Sequence, residues 1–411
     1  MTGMAPENQG GLKGLRVLDL SQLLAGSFCA QLLGDHGADV IKIEPPGGDM
    51  ARGIGPFSES DSTHSHGAMF WGCNRNKRSL VLDLKHPLAR EAFLSLVGGA
   101  DVLVENFRAG TMERLGLGYE VLRERNPRLV YTSVRGFGDP RGGASPYAEW
   151  PAVDIVAQAM GGIMSITGVG PHDPTKVGGG HADFVPGLFA AHATMVALWS
   201  ARESGQGQYV DVSMVDCVLA LCELITTGFS MDGRVPRPSG SRLPPVAPFG
   251  RVRCKDGFVV FGVTPGGSLW KSFCEALGKP ELAQDPNFAT PGARVRNQDA
   301  LYDLIESFTL LHTKQELMAR FGGKVPFAPV YDAADIVADP HFAVRDMLPT
   351  VALPDSDRQV SVAGVPAKLT ATPGAVRHRA PILGEHTDEV LRSAGLDAAA
   401  IAALRAAGAT R

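Results

Sequence analysis

A short strand-helix-strand pattern near the start of the chain restricts the fold more than any other feature. GLRVLDL (14–20) is an apolar run with one acidic residue and reads as a buried strand. SQLLAG (21–26) is a loop. SFCAQLLGDHG (27–37) has helical spacing and ends on glycine. ADVIKIE (38–44) is a second strand, stopped by Pro45-Pro46-Gly47-Gly48. A β-α-β unit of this kind predicts a parallel sheet and an α/β fold.

The alternation continues. KRSLVLDL (77–84), ADVLVENF (100–107), RLVYTSV (128–134) and GQYVDVSM (207–214) read as strands. Helices are predicted over 87–99, around 110–125, near 153–160, over 186–205 and over 215–231. Residues 1–13 read as a flexible leader and 14–231 as a large domain. Residues 232–250, rich in Pro, Gly and Arg, read as a linker. Residues 251–340 form a smaller domain, with a strand pair near 251–263 and helices near 268–278, 299–311 and 314–322. Residues 341–411 are expected to return to the large domain.

Composition removes several function classes. The 411 residues hold 39 Lys plus Arg and 43 Asp plus Glu, a net charge of −4, which argues against the overall basic surface of a nucleic-acid binder. No window reaches 18 uncharged apolar residues, and MTGMAPENQGGLKG has no apolar signal core. No membrane partner is expected and the cytoplasm is the expected compartment. The six cysteines form no C-x-x-C and fit reduced, buried thiols. His64 and His66 in STHSHG suggest a metal, but no matching third ligand accompanies them, so no metal is expected.

Three sets of residues could carry chemistry. The first is the strand-to-helix loop at 21–26, with Glu44 18 residues after Gly26, where a dinucleotide site places its ribose-binding acid. G-x-G-x-x-G and G-x-x-x-x-G-K-[ST] are both absent, which counts against nicotinamide, flavin and P-loop sites. The second is cationic. Lys77, Arg78, Lys85, Arg108, Arg114 and Arg135 fall at predicted strand ends or in the loops after them, where several cations would suit a polyphosphate ligand or simply face solvent. The third is GGGHADFVPG (178–187), which sets Asp183 in a glycine-rich loop ahead of a long helix. Asp183 reads either as a helix cap or as a catalytic carboxylate. No G-x-S-x-G elbow is present, and the thiols lack a visible basic partner.

The blocks GLRVLDLSQLLAGSFCAQLLGDHGADVIKIEPPGGD, NRNKRSLVLDLK, ADVLVENFRAGTMERLGLGY, NPRLVYTSVRGFG, GQGQYVDVSMVD and PILGEHTDEVL resemble, in order, the signature blocks of the class III CoA-transferases. That family includes formyl-CoA and carnitine CoA-transferases and alpha-methylacyl-CoA racemase. The resemblance implies a large Rossmann-like α/β domain built from both chain ends, a smaller α+β domain, and a homodimer of interlocked chains. It implies Asp183 as the nucleophile, forming an aspartyl mixed anhydride and then an aspartyl-CoA thioester. It places CoA contacts at Leu23, Leu24 and Ala25, at Leu82 and Lys85, at Asn106, Phe107 and Arg114, and at Arg135, which stands where formyl-CoA transferases have lysine. CoA and acyl-CoA are then substrates, with no permanently bound cofactor and a carboxylic acid as second partner. Leu24 and Pro45 replace a glutamine and an arginine of the formyl-CoA transferases, which counts against formate and oxalate. A covering glycine loop corresponds to Pro265-Gly266-Gly267.

The implied activity is CoA transfer from an acyl-CoA, with a dicarboxylic acyl group such as succinyl expected. Arg52, His64, His66 or Lys176 would receive its distal carboxylate. A racemase is the alternative, but Val153 stands where racemases carry their proton-transferring histidine. A non-catalytic acyl-CoA-binding protein is the second alternative.

Overall fold

The computed structural model describes residues 10–265, 267–354 and 358–411. Residues 1–9 of the leader and Gly266 of the candidate glycine loop lie outside the described residues. Two compact units emerge. One holds the residues up to Ile163, Val177–Met231 and His341–Arg411; the other holds Met164–Lys176 and Asp232–Pro340.

The first unit is built on a six-stranded sheet: β1 (Arg16–Asp19), β2 (Asp39–Glu44), β3 (Lys77–Val81), β4 (Val102–Glu105), β5 (Val130–Arg135) and β6 (Tyr209–Ser213). The order is β3-β2-β1-β4-β5-β6 and every pairing is parallel. A parallel sheet is covered on both faces, which explains why its strands read as near-continuous apolar runs. Successive residues point to opposite faces. Leu18, Ile41, Leu80, Leu103 and Tyr131 therefore pack on one side, with Phe93 and Leu96 of the helix Pro87–Val97 and with Val390 and Leu404 of the C-terminal helices. Val17, Val40, Val102, Val104 and Val130 pack on the other, with Cys29 and Leu33 of α1 (Ala25–Asp35). The chain's C-terminal stretch is thus part of the same core as its first strands.

Gly10–Lys13 belong to the folded body and not to a free leader. Leu12 donates its N–H to the His36 carbonyl at 2.9 Å and packs against the valine-rich core. The helix predicted around 110–125 is two, Thr111–Arg114 and Tyr119–Arg125, parted by Gly116 at φ +72°. The helix predicted over 215–231 breaks at Cys222 into Met214–Leu221 and Glu223–Asp232.

The longest helix, His181–Ser204, starts five residues before the predicted 186 and is capped at its end by Gly205 at φ +71°. By length and composition it could cross a membrane, a property that the count of uncharged residues did not register. Its buried side is made of small residues, including Ala190, Ala191, Thr194, Ala197 and Ala201. These allow close packing: a Cβ at Gly187 would lie 2.6 Å from the Ala25 carbonyl oxygen.

The second unit pairs strands Phe249–Cys254, Gly257–Gly262 and Phe327–Pro329 in an antiparallel sheet. Helices Gly267–Leu277, Gln298–Thr309 and Lys314–Phe321 cover it through a core of Trp270, Phe273, Ile305 and Phe321. Met164–Lys176, expected in the large domain, joins this unit through bonds such as Gly240 N–H to the Gly168 carbonyl at 2.9 Å.

Candidate active site

In an open parallel sheet, ligands bind beyond the strand carboxyl ends where the strand order reverses. Here that point lies between β1 and β4. Ser21–Leu24 leave β1, and Asn106–Arg108 leave β4. Gln22 and Asn106 clasp each other across this crevice: Gln22 N–H donates to Asn106 Oδ1 at 2.8 Å, and Asn106 Nδ2 donates to the Gln22 carbonyl at 2.7 Å. Asn106, expected to touch CoA, thus also fixes the loop from β1.

The loop rests on a buried charge network. Asp19 ends β1, and its Oδ1 accepts Ser21 N–H at 3.0 Å and the Ser21 hydroxyl. Lys77 Nζ reaches Asp19 Oδ2 at 2.7 Å, Asn74 Oδ1 at 2.8 Å and the Ser27 carbonyl at 2.8 Å. Lys42 Nζ pairs with Asp49 Oδ2 at 2.8 Å and donates to the Ser21 carbonyl. The Lys42, Lys77, Asp19 and Asp49 side chains are all inaccessible to solvent. Burial alone would push the Asp19 carboxyl up, but Lys42 and Lys77 overcome it and hold it below the ordinary carboxylate range. Burial alone would lower Lys42, but Asp19, Asp49 and Glu44 raise it.

Asp49 transmits this network to the loop. Its Oδ1 accepts Leu23 N–H at 3.0 Å and holds Leu23 at φ +59°, a left-handed conformation uncommon for a branched side chain. Leu24 then starts α1 without any side-chain cap, so the first N–H groups of α1 are left for other acceptors.

Asp183 lies in the first turn of the helix His181–Ser204 and not in a loop before it. Asp154 explains the early start. Its Oδ1 accepts Ala182 N–H at 2.8 Å, while Gln158 Nε2 steadies its carboxylate at 2.9 and 3.1 Å. An added Cβ on Gly180 would stand 2.9 Å from Leu24 Cδ1 and 3.5 Å from Asp183 Oδ2. Leu24 and Asp183, 159 positions apart, thus border the same spot, with Gly180 leaving it open. Cys73 feels the charge of Asp183, but burial first of all pushes its thiol up to about 11, so at neutral pH it is no rival nucleophile.

The other expected contacts divide into two groups. Lys85, Arg108 and Arg114 are exposed beyond the carboxyl ends of β3 and β4. Ala25 is buried at the start of α1, and Phe107 is half-buried with its N–H on Glu105 Oε2 at 2.7 Å. Leu82 belongs to the core, so only its backbone could meet a ligand. Arg135 is 7% exposed, pairs with Glu105 at 3.2 Å and with Asp139, and a phosphate would have to compete with both carboxylates. Lys77 and Arg78 open β3 at its amino end, so they are not at the ligand end, contrary to expectation. Arg78 is held by Asp39 and Glu389. Arg52 is not free for a distal carboxylate either. It is 6% exposed, bidentate to Glu44 at 2.7 Å twice, and stacked 3.7 Å over Phe70. His64 stacks on Phe57 at 4.4 Å, and Lys176 lies in the second unit. Among the described residues, no group of three or more His, Cys, Asp or Glu could hold a metal.

The sequence reading missed Gln22, Lys42, Asp49 and Asp154. Lys42 and Asp49 carried a faint signal, a charge inside an apolar strand and an acid just after the Pro-Gly stop. Asp154 carried none, because its partner lies 28 residues away.

Comparison with known proteins agrees with this architecture. A family model described as CoA-transferase family III matches residues 12–387. A succinyl-CoA:mesaconate CoA-transferase of Haloarcula hispanica is 44% identical over 387 residues, covering 94% of this chain and 97% of that protein. A succinyl-CoA–D-citramalate CoA-transferase of Chloroflexus aurantiacus is 39% identical, with 92% of each covered. A succinate–glutarate CoA-transferase of Agrobacterium fabrum is 37% identical, covering 95% of this chain and 97% of that one. The crystal structure of a CAIB/BAIF family protein from Brucella suis superposes with a TM-score of 0.83 at 35% identity, covering 94% of this chain and 99% of that one. With a family match over most of its length and relatives this close, the chain belongs to CoA-transferase family III and is a CoA-transferase.

Proposed function

We propose that this enzyme moves CoA from succinyl-CoA, or another dicarboxylic acyl-CoA, to a carboxylic acid, with Asp183 as nucleophile. The observation that carries the reading is the position of Asp183, in the first turn of a long helix and beside the Leu24 end of the switch-point loop. The relatives' names, which pair succinyl-CoA or succinate with mesaconate, D-citramalate or glutarate, support the choice of donor.

Each step balances without a cofactor. An Asp183 oxygen attacks the thioester carbonyl, the C–S bond breaks, and CoA leaves as thiolate from a mixed anhydride. The thiolate attacks the Asp183 carbonyl, releases the donor acid as carboxylate, and leaves an aspartyl thioester. The acceptor carboxylate attacks that thioester and frees the thiolate, which then takes the acceptor's acyl group and restores Asp183. Covalent catalysis replaces one difficult exchange with several nearly thermoneutral ones. The N-terminal dipole of the helix favours a carboxylate at Asp183 and the oxyanions that form there. Lys85, Arg108 and Arg114 would hold the phosphates of CoA, and the loop Leu23–Ala25 would run along the thioester.

Val153 supplies no group able to move a proton and is 55% exposed, so nothing favours a racemase. We place the enzyme in the cytoplasm, in keeping with six buried free thiols, and as a homodimer. The test is chemical trapping. Incubation with succinyl-CoA and then hydroxylamine should yield an aspartyl hydroxamate at Asp183, mapped by mass spectrometry. Asp183→Asn should lower kcat by more than about 10³-fold. An unlabelled Asp183 with every thioester tried would reject the reading.

A further inference from the structure

Gly180 immediately precedes the helix His181–Ser204, three residues before Asp183. Its backbone does not call for glycine. At φ −87° and ψ 54° it lies in the inverse γ-turn region, which any L-residue adopts. Capping does not call for it either, because Asp154 supplies the carboxylate that takes Ala182 N–H. What a side chain would meet there is specific. A Cβ on Gly180 would stand 2.9 Å from Leu24 Cδ1, 3.5 Å from Asp183 Oδ2 and 3.5 Å from Phe184 Cε2.

Two of these three neighbours are apolar walls and the third is the carboxylate itself. Phe184 is a firm wall, since its ring meets Phe28 edge-on at 5.0 Å. The Leu24 backbone is fixed as well, its carbonyl accepting Phe28 N–H at 2.7 Å. The Leu24 methyl is the soft wall, the end of a side chain that can turn to another rotamer. A carboxylate oxygen attacks a carbonyl carbon from about 3–3.5 Å. The acyl carbon next to that carbonyl therefore comes within roughly 5 Å of the attacking oxygen. A Cβ on Gly180 would stand inside the same shell, whereas the far end of a dicarboxylic chain lies beyond it.

We propose that Gly180 is a specificity-determining position, an inference that rests on the assignment of Asp183 as nucleophile. Its missing side chain, between Leu24 and Phe184, leaves room for a substituent on the acyl carbon beside the reacting carbonyl. The substrate class this admits is a dicarboxylic acyl-CoA branched at that carbon. Position 180 discriminates branching there and is indifferent to branching further along the chain.

Two isomers of methylsuccinyl-CoA test this, one with the methyl on the carbon beside the thioester and one with it on the next carbon. They carry equal bulk and equal charge. Gly180→Ala should lower kcat/KM for the first isomer about tenfold or more relative to the second, the discrimination that one crowded methyl group gives. Leu24→Ala should move the same ratio the other way. The double variant should return it to within about threefold of wild type, because the shortened side chain gives way to the added Cβ. A fault in the helix start would fall on both isomers alike, so equal losses in Gly180→Ala overturn the proposal. Leu24→Ala leaves the helix start untouched, and a ratio it does not move overturns the proposal even if Gly180→Ala fails to fold. If wild type gives no hydroxamate at Asp183 with any thioester, the nucleophile assignment itself fails; if it gives one and the isomer ratio stays at the wild-type value in the variants, only the assignment of Gly180 fails.

Discussion

Asp154 governs where a helix starts 28 residues further along the chain. Its carboxylate takes one of the N–H groups that a helix N-terminus leaves unsatisfied, and it thereby sets the turn that carries Asp183. Asp154→Ala should cost about 0.5–2 kcal/mol in urea unfolding, the usual loss for a missing cap. A larger effect is expected on kcat than on KM for the CoA thioester, because a carboxylate displaced by about 1 Å costs up to about 10²-fold in rate. Asp154→Asn keeps an accepting oxygen and should recover most of both losses. Equal losses in the two variants would show that the charge, not the cap, matters. No local pattern marks such a residue, since capping signatures are read within three or four positions and this partner comes from another element.

The loop Ser21–Leu24 is a short element held by charges beneath it. Breaking a buried ion pair costs about 3–5 kcal/mol because it strands the partner, so Lys42→Met should lower the urea midpoint strongly. A second change, Asp49→Asn, should restore part of the loss. The pH dependence has a definite sign. Asp19 is held below its ordinary value, so its contribution is complete above about pH 3.9 and is lost as pH falls through the lower folded value. Lys42 is raised, so its contribution is complete below about pH 10.4 and is lost as pH rises through the higher folded value. Between these limits neither Asp19 nor Lys42 should add slope to the wild-type stability profile. In Lys42→Met, Asp19 retains only Lys77, and the acid limb should move to higher pH. An acid limb that stays in place would show that Lys42 does not set the Asp19 carboxyl. The strands around this loop were legible from their apolar runs. The network was not, because a buried Lys in a strand reads as an error until its partners on neighbouring strands are in place.

At the scale of the whole molecule, the helix His181–Ser204 leaves Leu188, Val196 and Trp199 exposed at 57%, 57% and 67%. Their spacing places them on one stripe, the kind of apolar surface that a soluble chain covers with a partner. With the homodimer proposed above, light scattering should give twice the chain mass, and Trp199→Glu should weaken association or leave the protein poorly folded. A monomer at micromolar concentration in wild type would end that reading. The sequence by itself determined the parallel α/β sheet and the family, because strand periodicity, turn residues and ordered motifs are local properties. Only the tertiary structure decided which cations are free. Lys77, Arg78, Arg135 and Arg52 all looked available and are all paired with carboxylates from other elements. Whether a charge meets water or a counter-ion depends on which strands lie side by side, and the order β3-β2-β1-β4-β5-β6 is not written in any one of them.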